Sequence, residues 1–246
     1  MADYFTFVSR MVAAYLIGSV PTAYLVSRWR RGIDIRQYGS GNVGASNVLA
    51  IVSKRWSMVV TVFDFSKGAI MVVAAQLLGL GTVQQVTIGI ATIIGHNWPI
   101  FLRFQGGRGV LTSLGVITLL SPKLGLIALA FAYLLAPFRQ MSLGVTFALV
   151  SLPVISWLFS QPLGIGEPLP TTLGLIAILL IVISKRLSVP RSPLSTSVPS
   201  RELFINRLLF DRDIRDRKTW ISQTRFDPDS IEHLIEQDQE EELKQP

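Results

Sequence analysis

Two short segments place glycine beside hydrogen-bonding or cationic side chains: YGSGNVGASN, Tyr38 to Asn47, and FQGGRGVLTS, Phe104 to Ser113. In the first, Gly39, Gly41 and Gly44 let the backbone turn several N–H groups toward one point, and Ser40, Asn42, Ser46 and Asn47 add side-chain donors and acceptors. Loops of this kind, like helix N-termini, cradle phosphate. The second segment repeats the arrangement with a cation inside it: Gly106, Gly107 and Gly109 surround Arg108, and a helix is expected directly afterwards. An anion there would meet amide dipoles and a guanidinium together. Two cradles suit two anionic groups, one on a donor and one on an acceptor. The plainer reading of either loop alone is a solvated turn followed by a helix cap.

Other reactive residue types are few. Zero cysteines exclude disulfides, cysteine-ligated zinc and a thiol nucleophile. The only histidines are His96 and His233. In FDFSKG, Asp64 and Lys67 stand three apart on one helical face, where they can neutralise each other. A pair this deep in an apolar segment is either a site or a structural lock. His96, in GHNWPIF, can serve as a base or cap the neighbouring loop.

These residues must be carried by membrane-embedded helices. Half of the sequence is hydrophobic and only 16% is charged, and the mean hydropathy is +0.47. Seven apolar windows run approximately over 4–26, 57–80, 83–102, 110–120, 124–138, 142–159 and 171–184. Basic residues alternate between the connections: Arg28, Arg30, Arg31, Arg36, Lys54 and Arg55 in the first, Arg103 and Arg108 in the third, Arg139 in the fifth. The second and sixth have none, and the fourth has only Lys123. The expected architecture is therefore an all-α polytopic membrane protein with seven transmembrane helices, its N-terminus outside and its C-terminus cytoplasmic. That orientation sends both glycine-rich loops and RQMSLG, Arg139 to Gly144, to the cytoplasmic face.

Composition changes after Ser184. Residues 1–184 read as the membrane domain and 185–246 as a cytoplasmic tail, with a short amphipathic helix near 203–210 lying on the membrane. The tail carries twelve acids against eleven bases, so the membrane part, with twelve bases against four acids, holds +8 and the whole chain +7. No nucleic-acid partner is expected. His233 and Asp238 have the H-x-x-x-x-D spacing of the soluble-donor glycerolipid acyltransferases, but the surrounding acids would repel a phosphorylated substrate, so they are not taken as catalytic.

Four segments in order, GSVPTAYLVS, DIRQYGSGNVGASNV, FDFSKG and GHNWPIFLRFQGGRG, resemble the bacterial acyl-phosphate-dependent glycerol-3-phosphate acyltransferases, the PlsY family. The resemblance implies a seven-span inner-membrane enzyme that moves a fatty acyl group from acyl phosphate to the 1-hydroxyl of glycerol 3-phosphate. Lysophosphatidic acid and phosphate would be the products, and no cofactor or metal would be needed. By motif, Ser40, Asn42, Ser46 and Asn47 fall in the active site, Arg108 stands where the family has Lys, and Ser142 matches a site serine. The implied partners are the two substrates, membrane lipids and, as candidates, lipid-synthesis enzymes.

The chain departs from the family in two places. Ala50 stands where the first motif has Arg, and a helix running on from Val48 would place Lys54 on the same face as a compensating cation. The C-terminal SRELFINRLLF keeps Ile205, Arg207, Leu208 and Leu209 of the family's last motif but has Glu202 and Phe204 in its two polar positions. The competing readings are a catalytically silent relative that binds lipid precursors or a partner protein, and an anion transporter. A transporter would pair interrupted spans between two halves near the midplane, whereas here the glycine-rich elements lie at one face.

Overall fold

The computed structural model of the chain describes residues 2–191, 195–216 and 219–220. His233 and Asp238 lie outside them. Eleven α-helices and two 3-10 turns make up the described structure, which contains no β-strand. The helices are α1 (Ala2–Gly18), α2 (Thr22–Arg31), α3 (Ala45–Ile51), α4 (Lys54–Leu77), α5 (Thr82–Asn97), α6 (Val110–Leu120), α7 (Pro122–Leu134), α8 (Met141–Leu158), α9 (Ser160–Leu163), α10 (Pro168–Leu187) and α11 (Ser200–Phe210).

The bundle pairs α4 with α6, α1 with α5, and α8 with both α7 and α10. Val72, Ile93, Val116, Leu124, Leu152 and Ile178 form its main core. A second cluster of Ile35, Val43, Val48, Val60 and Leu102 lies beneath the loops that flank α3 and α6. Phe5, Phe63, Leu77, Phe147 and Leu180 point outward, as expected where the surroundings are hydrocarbon rather than water. The α4–α6 seam is close because a Cβ on Gly68 would lie 2.2 Å from the Thr112 carbonyl oxygen, and one on Gly115 2.1 Å from that of Phe65. Small residues on both sides let the two backbones touch.

Among the described residues, three helices, α4, α8 and α10, are long and apolar enough to cross a membrane. At 11 and 13 residues, α6 and α7 reach only roughly 17 and 20 Å. The first apolar window, 4–26, is not one helix. It breaks between Gly18 and Thr22, where Pro21 lacks an N–H and the Ser19 hydroxyl donates back to the Tyr15 carbonyl at 2.8 Å. The second piece, α2, ends in Arg28, Arg30 and Arg31 and is closed by Gly32 in the left-handed conformation.

The expected continuous helix from Val48 to Lys54 is also absent. α3 stops at Ile51, and Ser53 takes an extended backbone and caps α4 by accepting from Trp56 N–H at 3.4 Å. Ala50 and Lys54 therefore belong to different helices, and the spacing argument for Lys54 as a substitute cation does not hold. Lys54 is solvent-facing in the first turn of α4.

Candidate active site

The connection from α2 to α3 is held by its own side chains. Asp34 caps the 3-10 turn Ile35–Gln37 and pairs with Arg36, Oδ2 to Nη2, at 2.5 Å. The Arg36 guanidinium holds the Asp34 carboxyl below its ordinary pKa. Arg36 also reaches the second loop, with Nη1 donating to the Leu102 carbonyl at 3.5 Å and to Gln105 Oε1 at 3.4 Å. Asn47 is 2% exposed. Its amide nitrogen donates to the carbonyls of Ile35 (3.2 Å) and Tyr38 (3.0 Å), and its oxygen accepts from Ser40 N–H (3.1 Å). Every polar atom of Asn47 thus shapes the loop from within.

The loop it shapes presents Ser40 and Asn42 at half-buried positions, with the Ser40 hydroxyl accepting from Asn42 N–H at 3.4 Å. Gly39 and Gly41 turn the chain at φ 55° and 66°. Gly44 precedes α3 as its N-cap, and Ser46 is exposed on that helix's first turn.

The second loop folds onto the end of α5. Gly106 N–H donates to the Asn97 carbonyl at 3.2 Å and Gly107 N–H to the His96 carbonyl at 3.1 Å. These two amides tie the loop down, so the cradle's remaining donors are the first turn of α6, entered through Gly109 at φ 74°. Gly107 is where three elements meet: a Cβ there would lie 2.2 Å from His96 Nε2 and 2.6 Å from the Val43 carbonyl oxygen of the first loop.

Below it sits the buried polar cluster of α4 and α5. Asp64 Oδ1 is 2.9 Å from Lys67 Nζ and 3.7 Å from His96 Nδ1, and Lys67 Nζ donates to the Val20 carbonyl at 3.3 Å. The pair seen on one helical face therefore extends through His96 to the floor of the glycine-rich loop. It also braces the α1–α2 break.

Arg108 points the other way, toward the C-terminal segment, where its Nε pairs with the Asp211 carboxylate just after α11. Arg186, Thr146 and Asp211 on that side carry no local sequence signal. Arg186, near the end of α10, lies 3.6 Å from the same Asp211 oxygen and donates from Nη1 to Thr146 Oγ1 (2.7 Å) and the Leu208 carbonyl (3.0 Å). Thr146 in turn donates to the carbonyl of Ser142, half-buried at the start of α8, at 2.9 Å.

Arg207 and Asp213 form a buried pair at 2.6 Å, and Arg207 also donates to the Leu187 carbonyl at 3.0 Å, which fastens α11 to the end of α10. Arg212 donates to Gln140 Oε1 at 3.3 Å in the third loop. α11 consequently packs on α8 and α10, burying Leu203, Asn206 and Arg207 and leaving Phe204 and Ile205 outside. Contacts thus run unbroken from the first loop through the second to the C-terminal turn and the third loop.

A polar floor of Asp64, Lys67 and His96, two glycine-rich loops and buried arginines at one end of an apolar bundle form a place where an anionic headgroup could be held while its acyl chain stays in lipid. Residues 8–191 match the family model described as glycerol-3-phosphate acyltransferase. Two proteins of Dehalococcoides mccartyi, glycerol-3-phosphate acyltransferases 5 and 4, are 48% and 49% identical over 217 residues, covering 88% of this chain and 93% and 94% of theirs. Among solved structures, the glycerol 3-phosphate form of PlsY (YgiH), an integral membrane glycerol 3-phosphate acyltransferase, superposes with a TM-score of 0.66 at 30% identity, covering 74% of this chain and 88% of that one. With residues 8–191 matched to the family model and relatives of 48% and 49% identity covering 88% of its length, the chain belongs to the glycerol-3-phosphate acyltransferase family.

Proposed function

We propose that this chain transfers a fatty acyl group from acyl phosphate to the 1-hydroxyl of glycerol 3-phosphate. The observation that carries the reading is the match, at 30% and 31% identity, to PlsY structures in a glycerol 3-phosphate form and a lysophosphatidic acid form. The chemistry suits the residues present. In an acyl phosphate the carbonyl is already activated by a good leaving group, so the hydroxyl attacks it, the new ester C–O bond forms, the C–O bond to phosphate breaks and the hydroxyl proton ends on the released phosphate. Alignment and charge stabilisation are then the protein's main tasks.

Arg108 and the first turn of α6 hold one phosphate, and the Ser40–Asn42 loop, with Ser46 and Ser142 as further candidates, orients the other substrate. Asn47, Gly106, Gly107 and the Asp64–Lys67–His96 floor keep these groups in place. The bundle sits in the cell membrane with seven crossings, the shorter helices meeting lipid only where neighbours cover their ends. The alternation of bases supports a cytoplasmic site and an external N-terminus.

One observation favours a silent relative instead: the Asp211 carboxylate occupies Arg108. Incubating the full-length protein with radiolabelled glycerol 3-phosphate and palmitoyl phosphate separates the two readings. Labelled lysophosphatidic acid is expected, and no product above a blank membrane would sink the enzyme reading.

A further inference from the structure

The anion between Arg108 and Arg186 comes from the chain itself. Both arginines are buried, at 7% and 2% exposure, and both bring Nε close to one oxygen of Asp211. Two guanidinium groups this deep repel each other unless an anion lies between them. The Asp211 carboxylate supplies the charge without the geometry. Among the described residues, neither Nε nor that Asp211 oxygen has a hydrogen-bond partner of acceptable direction, where buried polar atoms are normally satisfied.

The carboxylate is also delivered from an unfavourable backbone. Asp211 ends α11 at φ 58° and ψ 39°, a left-handed conformation that glycine adopts freely and aspartate only occasionally. Arg186 is fixed for the role by its far edge, since its Nη1 bonds to Thr146 and Leu208 leave the Nε side facing Arg108 and Asp211. A phosphate, with three acceptor oxygens and up to two charges, can meet both guanidinium edges at once, which one carboxylate oxygen does not.

We infer that Arg186 is a second phosphate-binding residue beside Arg108, and that Asp211 is an internal stand-in that a phosphomonoester displaces on binding. The identity of that phosphate, from acyl phosphate or from glycerol 3-phosphate, rests on the acyl-transfer reading; the anion site does not. While Asp211 holds the arginines, the apparent affinity for phosphate is reduced by the fraction of molecules in which it is displaced.

The test uses full-length protein in detergent and inorganic phosphate as the probe, measured by titration calorimetry, with KM for glycerol 3-phosphate and for palmitoyl phosphate measured separately. Asp211→Gly suits the left-handed backbone and should bind phosphate about tenfold more tightly. Arg186→Gln should bind it at least about tenfold more weakly, and Arg186→Lys should fall between. The KM of whichever substrate places its phosphate there should move in the same directions, and the other should not.

Unchanged or weaker phosphate binding in Asp211→Gly would overturn the inference, because a carboxylate that only fastens α11 would give that result. So would wild-type phosphate affinity in a folded Arg186→Gln protein. Phosphate affinities that shift as expected without any acyl product would keep the anion site and remove the acyl-transfer reading. Acyl transfer with phosphate affinities and both KM values unmoved would do the reverse.

Discussion

The two glycine-rich loops and the junction of α10 with α11 contribute to one polar cluster by opposite means. The loops work through backbone and short side chains, and their bonds are mostly local: Asn47 reaches back to Ile35, Tyr38 and Ser40, and Gly106 and Gly107 reach Asn97 and His96. The α10–α11 junction works through long buried side chains that cross the fold, Arg186 to Thr146, Arg207 to the Leu187 carbonyl and Arg108 to Asp211. Loop geometry built from glycine is set by local conformational freedom and tolerates little added volume. A charge network is set by neutralisation across the fold, and one partner can be exchanged for another anion.

The comparison is broken most severely at the residue that belongs to both regions. Arg108→Ala removes the guanidinium from the α6 cradle and leaves Asp211 facing Arg186 alone. A fall in kcat/KM of at least ~100-fold is expected, about 2.7 kcal/mol at 1.36 kcal/mol per decade. Thermal unfolding should move little, because Arg207–Asp213 still fastens α11. A large drop in melting temperature with kcat/KM preserved would make Arg108 a fold residue instead.

Gly107→Ala tests the loop side by volume alone. The added methyl would meet His96 Nε2 and the Val43 carbonyl, and the backbone atom cannot rotate away, so the loops must part. Overpacking of this kind costs about 1–3 kcal/mol, and kcat/KM should fall about tenfold or more. Gly166→Ala, with open space at its Cβ, is the matched control and should stay within about 0.5 kcal/mol of wild type. If the two variants behave alike, the contact between the loops does not shape the site.

Next in size is the contrast between neighbours on α3. Asn47→Ala removes three hydrogen bonds and leaves the Ile35 and Tyr38 carbonyls without that partner, for a loss of about 2–3 kcal/mol and a disordered Ser40 loop. Ser46→Ala, at an exposed position, should leave the melting temperature unchanged, and any effect on KM would then report contact with substrate. Equal melting temperatures for the two variants would contradict the buried, bonded state of Asn47.

The same contrast explains what could be read in advance. The all-helical class, the two loops, Arg108 and the Asp64–Lys67 pair were legible because composition, glycine spacing and a helical interval of three are local signals. The break at Ser19–Pro21 was hidden because apolar residues on both sides averaged into one window. Arg186 was counted among tail bases, since an arginine after an apolar run is the ordinary mark of a cytoplasmic helix end. Nothing local distinguishes it from Lys185, and only the docking of α11 brings Asp211 to it. Ser53 did carry a signal, a serine ahead of a helix, but the unbroken run VLAIVSKRW masked it.

The smallest effect is expected at Lys54, where it sharpens the comparison from the loop side. Had one helix run through Val48 and Lys54, the lysine could have leaned back over Ala50 and supplied the cation missing there. Instead Val52 and Ser53 separate α3 from α4, and Lys54 begins a new helix beside the equally exposed Arg55. Exposed charges without buried partners contribute little. Lys54→Ala and Arg55→Ala should therefore each keep kcat/KM within about twofold of wild type, at low and at moderate salt. Ala50→Arg would add a cation on the exposed face of α3, and combining it with Lys54→Ala should give the effect of Ala50→Arg alone, because the two positions do not share a face. A loss confined to Lys54→Ala and repaired by the added arginine would show that the loop region recruits its cation locally after all.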